Sequence, residues 1–156
     1  MVTLNEIYKF LEPRKLAIAG ASRNLKKFGG SVFKELRDNG FELYPINPNA
    51  DEIQGVKCYK SVEELPADVN HLFIVTPKYE TEIIARAAVK KGIQMIWIQQ
   101  GTDTPEAVKT IEDAGIPLIY KKCIMMFASP VKSVHRFHRF LVKTFGGYPK
   151  LVFSAN

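Results

Sequence analysis

Apolar residues along this chain alternate between compact runs and helically spaced positions. The compact runs lie at residues 15–19, 41–46, 71–75, 93–98 and 116–120. Between them, apolar residues recur at intervals of three and four, which is typical of helices that bury one face. Short buried strands joined by helical crossovers form parallel sheets with helices on both sides. The pattern therefore predicts an α/β fold with a doubly wound, five-stranded parallel sheet.

Several helix starts are marked by capping residues. Thr3 with Glu6 and Ser61 with Glu64 have the spacing of capping boxes, and each pair predicts a helix. A further start is predicted at residue 104, where a threonine precedes a proline and an acid. A helix between the third and fourth strands is marked by the apolar residues Ile83, Ile84, Ala87 and Ala88, and Gly92 is predicted to end it.

The C-terminal part of the chain differs from the rest. We predict one domain at residues 1–125 and a basic amphipathic extension at residues 126–156, with Phe137 and Phe145 on the apolar face of a helix. We expect this helix to pack on the domain or on a partner subunit, while a membrane surface, nucleic acid or an acidic groove of a partner are alternatives. His135 and His138 lack a third ligand nearby, so no metal site is predicted.

The charge is distributed unevenly. The 156 residues have a formal net charge of +6, but residues 1–113 sum to −1 and residues 114–156 to +7. The basic character is therefore a property of the tail, and nucleic-acid binding by the main body is not indicated.

The composition excludes several classes of protein. Hydrophobic residues make up 46% and charged residues 24%, as in globular domains. No apolar run reaches the roughly 18 residues of a membrane span, and the N-terminus has no secretory signal pattern. Two separated cysteines, Cys58 and Cys123, fit a reducing compartment. We therefore expect a cytoplasmic protein without a membrane partner.

Candidate chemistry lies in the loops after the strands, because doubly wound sheets bind ligands at the carboxyl ends of their strands. In the loop at residues 20–30, Gly20 permits a sharp turn, and backbone amides with the Ser22 hydroxyl could hold a phosphate. Arg23, Lys26 and Lys27 add three cations. The alternative is a bare turn with solvated charges.

The phosphate ligand is not specified by a standard nucleotide motif. Neither G-x-G-x-x-G nor the Walker sequence is present. The second strand also lacks the acid that binds the NAD ribose, since the first acid after it is Asp51. NAD is disfavoured, and a ligand with several phosphates is favoured.

Four motifs resemble those of a known family. Ala19–Ser22, Pro45–Asn49, Thr76–Pro77 and Trp97–Gly101 follow four successive strands. Together they resemble the CoA-binding domain family, which is similar to the N-terminal domain of the succinyl-CoA ligase alpha subunit. The resemblance spans about residues 12–125, and it implies a Rossmann-like fold that binds coenzyme A or an acyl-CoA.

The resemblance also implies roles for individual residues. The CoA phosphates would contact Gly20, Ala21, Ser22 and Arg23. The adenosine part would lie beside Asn47 and Pro48, and the groove would be lined by Thr76, Pro77 and Tyr79. The pantetheine arm would face Gln99, Gln100 and Gly101. Lys26 and Lys27 suit the 3′-phosphate on physical grounds. As alternatives, Asn47–Pro48 is an ordinary turn and Tyr79 an exposed helix residue.

The expected function is binding, sensing or carrying of CoA without autonomous catalysis. The ligase works through a histidine that is phosphorylated in a second domain, and neither His71 nor the two tail histidines match its position. One alternative is an oxidoreductase or transferase that uses NAD(P) or an acyl-CoA through Cys123, whose thiol follows two lysines. Another is a partner- or nucleic-acid-binding module that acts through the tail, and a homo-oligomer is also compatible.

Overall fold

The computed structural model describes residues 2–128. The predicted C-terminal helix, with His135 and His138, lies outside these residues. The helices are α1 (Leu4–Leu11), α2 (Phe28–Asp38), α3 (Lys78–Lys91) and α4 (Pro105–Asp113). The strands are β1 (Lys15–Ala19), β2 (Glu42–Ile46), β3 (Glu52–Ile53), β4 (Val56–Lys57), β5 (His71–Ile74), β6 (Met95–Gln99) and β7 (Leu118–Lys122). Two 3-10 turns cover Val62–Glu64 and Ile124–Met126.

Five parallel strands form the main sheet in the order β2-β1-β5-β6-β7, which confirms the predicted fold class. The short strands β3 and β4 form a separate antiparallel hairpin. The chain moves from β1 outward to β2 and then returns to β5 on the other side of β1. Loops that leave β1 and β5 therefore diverge to opposite faces and open a crevice between them.

The sheet is covered on both faces. Leu16 and Ile18 of β1 pack on the side of α1 and α2, while Ala17 and Ala19 pack on the side of α3 and α4. This alternation follows from the two-residue period of a strand. Both faces of the central strands β1, β5 and β6 are buried, so these strands are apolar at most positions, as their compact runs predict. The edge strands are more exposed, and β7 begins two residues later than its predicted run and ends in two lysines.

The chain after β7 returns to the core. Ile124–Ala128 are buried on the α1 side, and the ring centroids of Trp97 and Phe127 lie 6.0 Å apart. The Trp97 indole Nε1 donates to the Lys122 carbonyl at 3.0 Å. Residues 126–128, which the sequence grouped with the extension, thus pack within the core, and the division at residue 125 stays a prediction.

Two of the predicted helix starts have their capping bonds. The Thr3 hydroxyl accepts from the Glu6 amide at 3.2 Å, and the Glu6 carboxylate accepts from the Thr3 amide at 2.7 Å. The Thr104 hydroxyl accepts from the Ala107 amide at 3.2 Å. Each bond satisfies a helix amide that has no intrahelical acceptor.

Two of the predicted helices are present but differ in detail from the sequence pattern. The segment after Ser61 is a single 3-10 turn, and the Ser61 side chain makes no capping bond to it. The Glu64 carboxylate accepts from the amide of Lys60 at 2.9 Å, one residue before the predicted partner. On α3, Ile83 is 66% exposed, because Ala85 and Ala88 face the sheet. The helical period alone allows either Ile83 or Ala85 to face the sheet. The close packing of α3 on the sheet places the small alanine side chains there.

Candidate functional site

The carboxyl ends of β1, β2, β5 and β6 surround a cleft of about 870 Å³. This volume is within the usual range for small-molecule sites. The cleft lies where the strand order reverses, between the loops that follow β1 and β5. Its position agrees with the site expected from the pattern of the strands.

Three glycines let the first loop run close to its neighbours. Gly20 has φ +92°, and a Cβ atom there would lie 2.8 Å from the backbone nitrogen of Thr76. A Cβ atom on Gly29 would lie 2.0 Å from the Gly20 carbonyl oxygen, and one on Gly30 would lie 2.2 Å from the Asn24 carbonyl oxygen. Any side chain at these positions would push the loop away from β5 or from α2.

The first loop presents the N-terminus of α2 to the cleft. Asn24 organises the loop, since its carbonyl accepts from the Lys27 amide at 3.1 Å and its side chain from the Lys26 amide at 2.9 Å. The amides of Phe28 and Gly29 donate to no acceptor within residues 2–128. The first turn of α2 contains no acid. Free amides and the helix dipole suit this end of α2 to an anion.

Asn47 holds the second loop against the first. Its side-chain nitrogen donates to the Ala21 carbonyl at 2.9 Å, and its side-chain oxygen accepts from the Asn49 amide at 2.9 Å. The side chain thus forms a turn and a tie between the two loops. What Asn47 and Pro48 offer to a ligand is mainly their backbone and the proline ring.

The third and fourth loops are held together by buried polar groups. The Thr81 hydroxyl donates to the Thr102 carbonyl at 2.9 Å and lies 3.4 Å from the Thr76 hydroxyl. The Gln99 side-chain oxygen accepts from the Ile124 amide at 3.2 Å. Thr76 and Gln99 are 4% and 7% exposed, so their hydrogen bonds are protected from water. This edge of the cleft is preorganised.

An apolar wall lies at the end of the cleft formed by α3. Tyr79 and Ile83 are 77% and 66% exposed, and Ile84 and Ala87 continue the same wall. Val62 also lines the cleft. Large apolar side chains in a cleft are a common feature of binding sites.

All of the predicted site residues except Arg23 and Lys26 line the cleft. The lining residues are Gly20, Ala21, Ser22, Lys27, Asn47, Pro48, Thr76, Pro77, Tyr79, Gln99, Gln100 and Gly101. Arg23 extends to the next loop, where its guanidinium Nη2 is 3.4 Å from the Asn49 carbonyl oxygen. Lys26 is exposed and does not border the cleft. The contacts of these residues with a ligand remain a proposal.

Lys60 is a site residue that the sequence did not indicate. Its ammonium donates to the Ala50 carbonyl at 2.9 Å and to the Asp51 carboxylate at 2.7 Å. An isolated parallel bridge between Ile46 and Tyr59 brings this segment beside the end of β2. No local pattern predicts such a long-range pairing. The hydrogen bond and the positive charge of Lys60, and to a smaller extent the charge of Arg23, lower the pKa of Asp51.

The two thiols lie outside the cleft. Cys58 and Cys123 are 6% and 8% exposed, and neither borders the cavity. Burial raises the pKa of the Cys58 thiol, whose sulfur is 3.6 Å from the Asn47 carbonyl oxygen. His71 is at the other end of β5, stacked on Phe10 with ring centroids 5.3 Å apart. No cysteine or histidine of residues 2–128 lines the cleft.

Neither a metal-binding cluster nor a membrane-spanning helix occurs in the part of the chain that the structure describes. Between residues 2 and 128 there is no group of three or more histidine, cysteine or acidic side chains placed to hold a metal ion. No helix in this range is long and apolar enough to cross a membrane.

The doubly wound sheet and the glycine-lined cleft at its switch point define a Rossmann-like ligand-binding domain. The model of the CoA binding domain family matches residues 14–129, which is most of the chain. The chain therefore belongs to the CoA binding domain family, and the resemblance found in the sequence is confirmed.

Relatives of this chain include both long and short proteins. It is 34% identical over 126 residues to the acetate–CoA ligase (ADP-forming) II subunit alpha of Pyrococcus furiosus, with 74% of this chain and 28% of the subunit covered. It is 27% identical over 120 residues to the uncharacterized protein YneT of Bacillus subtilis, and the match covers 76% of this chain and 89% of YneT. The solved structure of a conserved hypothetical protein from Pyrococcus furiosus is similar to this chain, with 42% identity and a TM-score of 0.69. The match covers 71% of this chain and 96% of that protein.

The relatives that carry ligase names are much longer than the matched region. Against the first three of them, this chain spans 28%, 12% and 14% of their length. The match therefore covers one part of those ligases.

Proposed function

We propose that this chain binds coenzyme A or an acyl-CoA in the cleft and serves in binding, sensing or carrying, without catalysis of its own. The observation that carries the proposal is the close approach of Gly20 to Thr76 and of Gly29 to Gly20. These approaches leave the free amides of α2 facing a cleft at the switch point. Membership of the CoA binding domain family supports the same ligand.

The residues of the cleft suit successive parts of CoA. The diphosphate would lie at Gly20–Ser22 and the start of α2, where Lys27 adds a positive charge. The adenosine would lie beside the backbone of Asn47 and Pro48. The groove would be lined by Thr76, Pro77 and Tyr79, and Gln99–Gly101 would face the pantetheine arm. The cleft contains both charged and apolar lining residues, and CoA likewise has charged and apolar parts.

The absence of autonomous catalysis rests on the groups that line the cleft. Acyl transfer through a covalent intermediate needs a nucleophile beside a base, and Cys123 is the nucleophile that the sequence offers. Within residues 2–128, every cysteine and histidine side chain lies outside the cleft, and Cys123 is buried directly after β7. The geometry thus gives no support to chemistry at Cys123.

Titration calorimetry on purified protein tests the proposal. CoA, acetyl-CoA, NAD and NADP would be titrated separately at moderate salt, after native mass spectrometry has shown whether a ligand co-purifies. We expect CoA to bind with a micromolar or tighter dissociation constant, roughly −8 kcal/mol, and NAD to give no heat. Binding of a dinucleotide with no response to CoA would overturn the proposal.

A further inference from the structure

We infer that Arg23 and Lys60 form a separate subsite for a phosphomonoester on the ribose of the ligand. This inference rests on the proposed function, since it names the part of CoA that these two residues would bind. It places the 3′-phosphate at the loop after β2, at a distance from the diphosphate site at the start of α2.

Lys60 is positioned for this role by two fixed contacts. Its ammonium donates to the Ala50 carbonyl at 2.9 Å and to the Asp51 carboxylate at 2.7 Å. A lysine ammonium has three donors, so one remains for a ligand. The Lys60 side chain is 42% exposed, and the residue lines the cleft. The charge is therefore held near the end of β2 and remains accessible.

Arg23 does not itself line the cleft, but its guanidinium reaches the loop after β2 that does. Its guanidinium Nη2 is 3.4 Å from the Asn49 carbonyl oxygen, and Asn49 lines the cleft. Lys60 contacts Ala50 and Asp51, which directly follow Asn49, so the two cations meet at one loop. Arginine has five donors in a planar fork that suits phosphate oxygens.

The end of the second strand is where this fold places the ribose of a nucleotide. An acid there selects a free ribose hydroxyl, whereas a cation accommodates a ribose phosphate. In this chain the first acid after β2, Asp51, has a 95% exposed side chain and is paired with Lys60, while Glu63 lines the cleft. The two cations that contact the loop after β2 therefore favour a phosphorylated ribose there.

This assignment changes the roles of the lysines in the first loop. Lys26 does not border the cleft, whereas Lys27 directly precedes α2 and lines it. Lys27 is thus placed for the diphosphate. Arg23 and Lys60 contact residues 49–51, so they are the cations placed for the ribose phosphate.

The test compares ligands that differ only in the ribose phosphate. Calorimetry would measure CoA against 3′-dephospho-CoA, and NADP against NAD, with wild-type protein, Lys60→Gln and Arg23→Gln. We expect wild-type protein to prefer CoA over dephospho-CoA by about tenfold or more. Each substitution should reduce that preference several-fold while the affinity for dephospho-CoA stays nearly constant. Asp51→Asn, which removes the competing carboxylate, should increase the preference.

Lys26→Gln is the matched control, because it removes the same charge from the first loop at a residue that, unlike Arg23, neither lines the cleft nor bonds to residues 49–51, and it should leave the preference unchanged. Equal binding of CoA and dephospho-CoA by wild-type protein would overturn the subsite and leave the proposed function intact. A preference that survives both Lys60→Gln and Arg23→Gln would also overturn it. If CoA fails to bind and NADP is preferred over NAD, the subsite is supported and the proposed function fails.

Discussion

A Cβ atom on Gly29 would lie 2.0 Å from the carbonyl oxygen of Gly20. The first turn of α2 therefore rests directly on the backbone that leaves β1. This contact sets where the free amides of α2 meet the cleft, and it ties the anion-binding end of the helix to the centre of the sheet. The proposed function depends on it more than on any single side chain.

Gly29→Ala should separate the first loop from α2. Alanine is normally the better helix residue, yet here the methyl group would overlap the Gly20 carbonyl. We expect a loss of about 1–3 kcal/mol in the free energy of unfolding, measured by chemical denaturation, and at least a tenfold weaker CoA affinity by calorimetry.

Gly115→Ala is the control for strain without a change at the cleft. Gly115 has φ +68° and no atom within 4 Å of an added Cβ, and it does not line the cleft. We expect about 1 kcal/mol of destabilisation from the left-handed backbone and unchanged CoA affinity. An unaltered CoA affinity in Gly29→Ala would contradict the placement of the phosphate site.

Lys27→Gln and Lys26→Gln should differ although the two residues are adjacent. Lys27 lines the cleft at the start of α2, and Lys26 does not border it. We expect Lys27→Gln to weaken CoA binding about tenfold, because a charge-assisted contact is lost, and Lys26→Gln to have little effect. The difference should shrink as salt is raised. Equal losses would mean that only the net charge of the loop matters.

The apolar wall of α3 gives a prediction that separates binding from stability. Ile83→Ser removes a side chain that is 66% exposed, so the free energy of unfolding should change by no more than about 0.5 kcal/mol. CoA affinity should still fall severalfold, because Ile83 lines the cleft. Leu25→Ser is the matched control, since Leu25 is 52% exposed and lies outside the cleft. If Ile83→Ser and Leu25→Ser had the same CoA affinity, the apolar wall of α3 would not be part of the binding site.

The thiols should be inert in the folded protein. Cys58 and Cys123 are buried, and burial raises the pKa of Cys58, so less thiolate is present at a given pH. We expect both to react slowly with an aromatic disulfide reagent at pH 8 and quickly in guanidinium chloride. A fast reaction of Cys123 that CoA suppresses would instead favour thiol chemistry near the ligand. Cys58→Ser and Cys123→Ser would assign each rate.

The positions of the central strands β1, β5 and β6 were predictable because each is a short apolar run that is buried on both faces. The edge strand β7 was predicted less well, because its apolar run covers residues 116–120 whereas the strand spans Leu118–Lys122. The caps at Thr3 and Thr104 were predictable because they involve neighbours in sequence. The phase of α3 was not, since Ile83 and Ala85 both satisfy a helical period and only the close packing of α3 on the sheet selects Ala85.

By itself, the sequence determined the strand and helix order, the glycines after β1 and the loops that line the cleft, because these depend on local spacing and on chain connectivity. Only the tertiary structure decided which cations serve the site. Lys60 reaches the cleft through the Ile46–Tyr59 bridge, while Lys26, which lies in the predicted loop, does not border it. The direction of a charged side chain depends on contacts between distant segments, and the local sequence pattern does not predict those contacts.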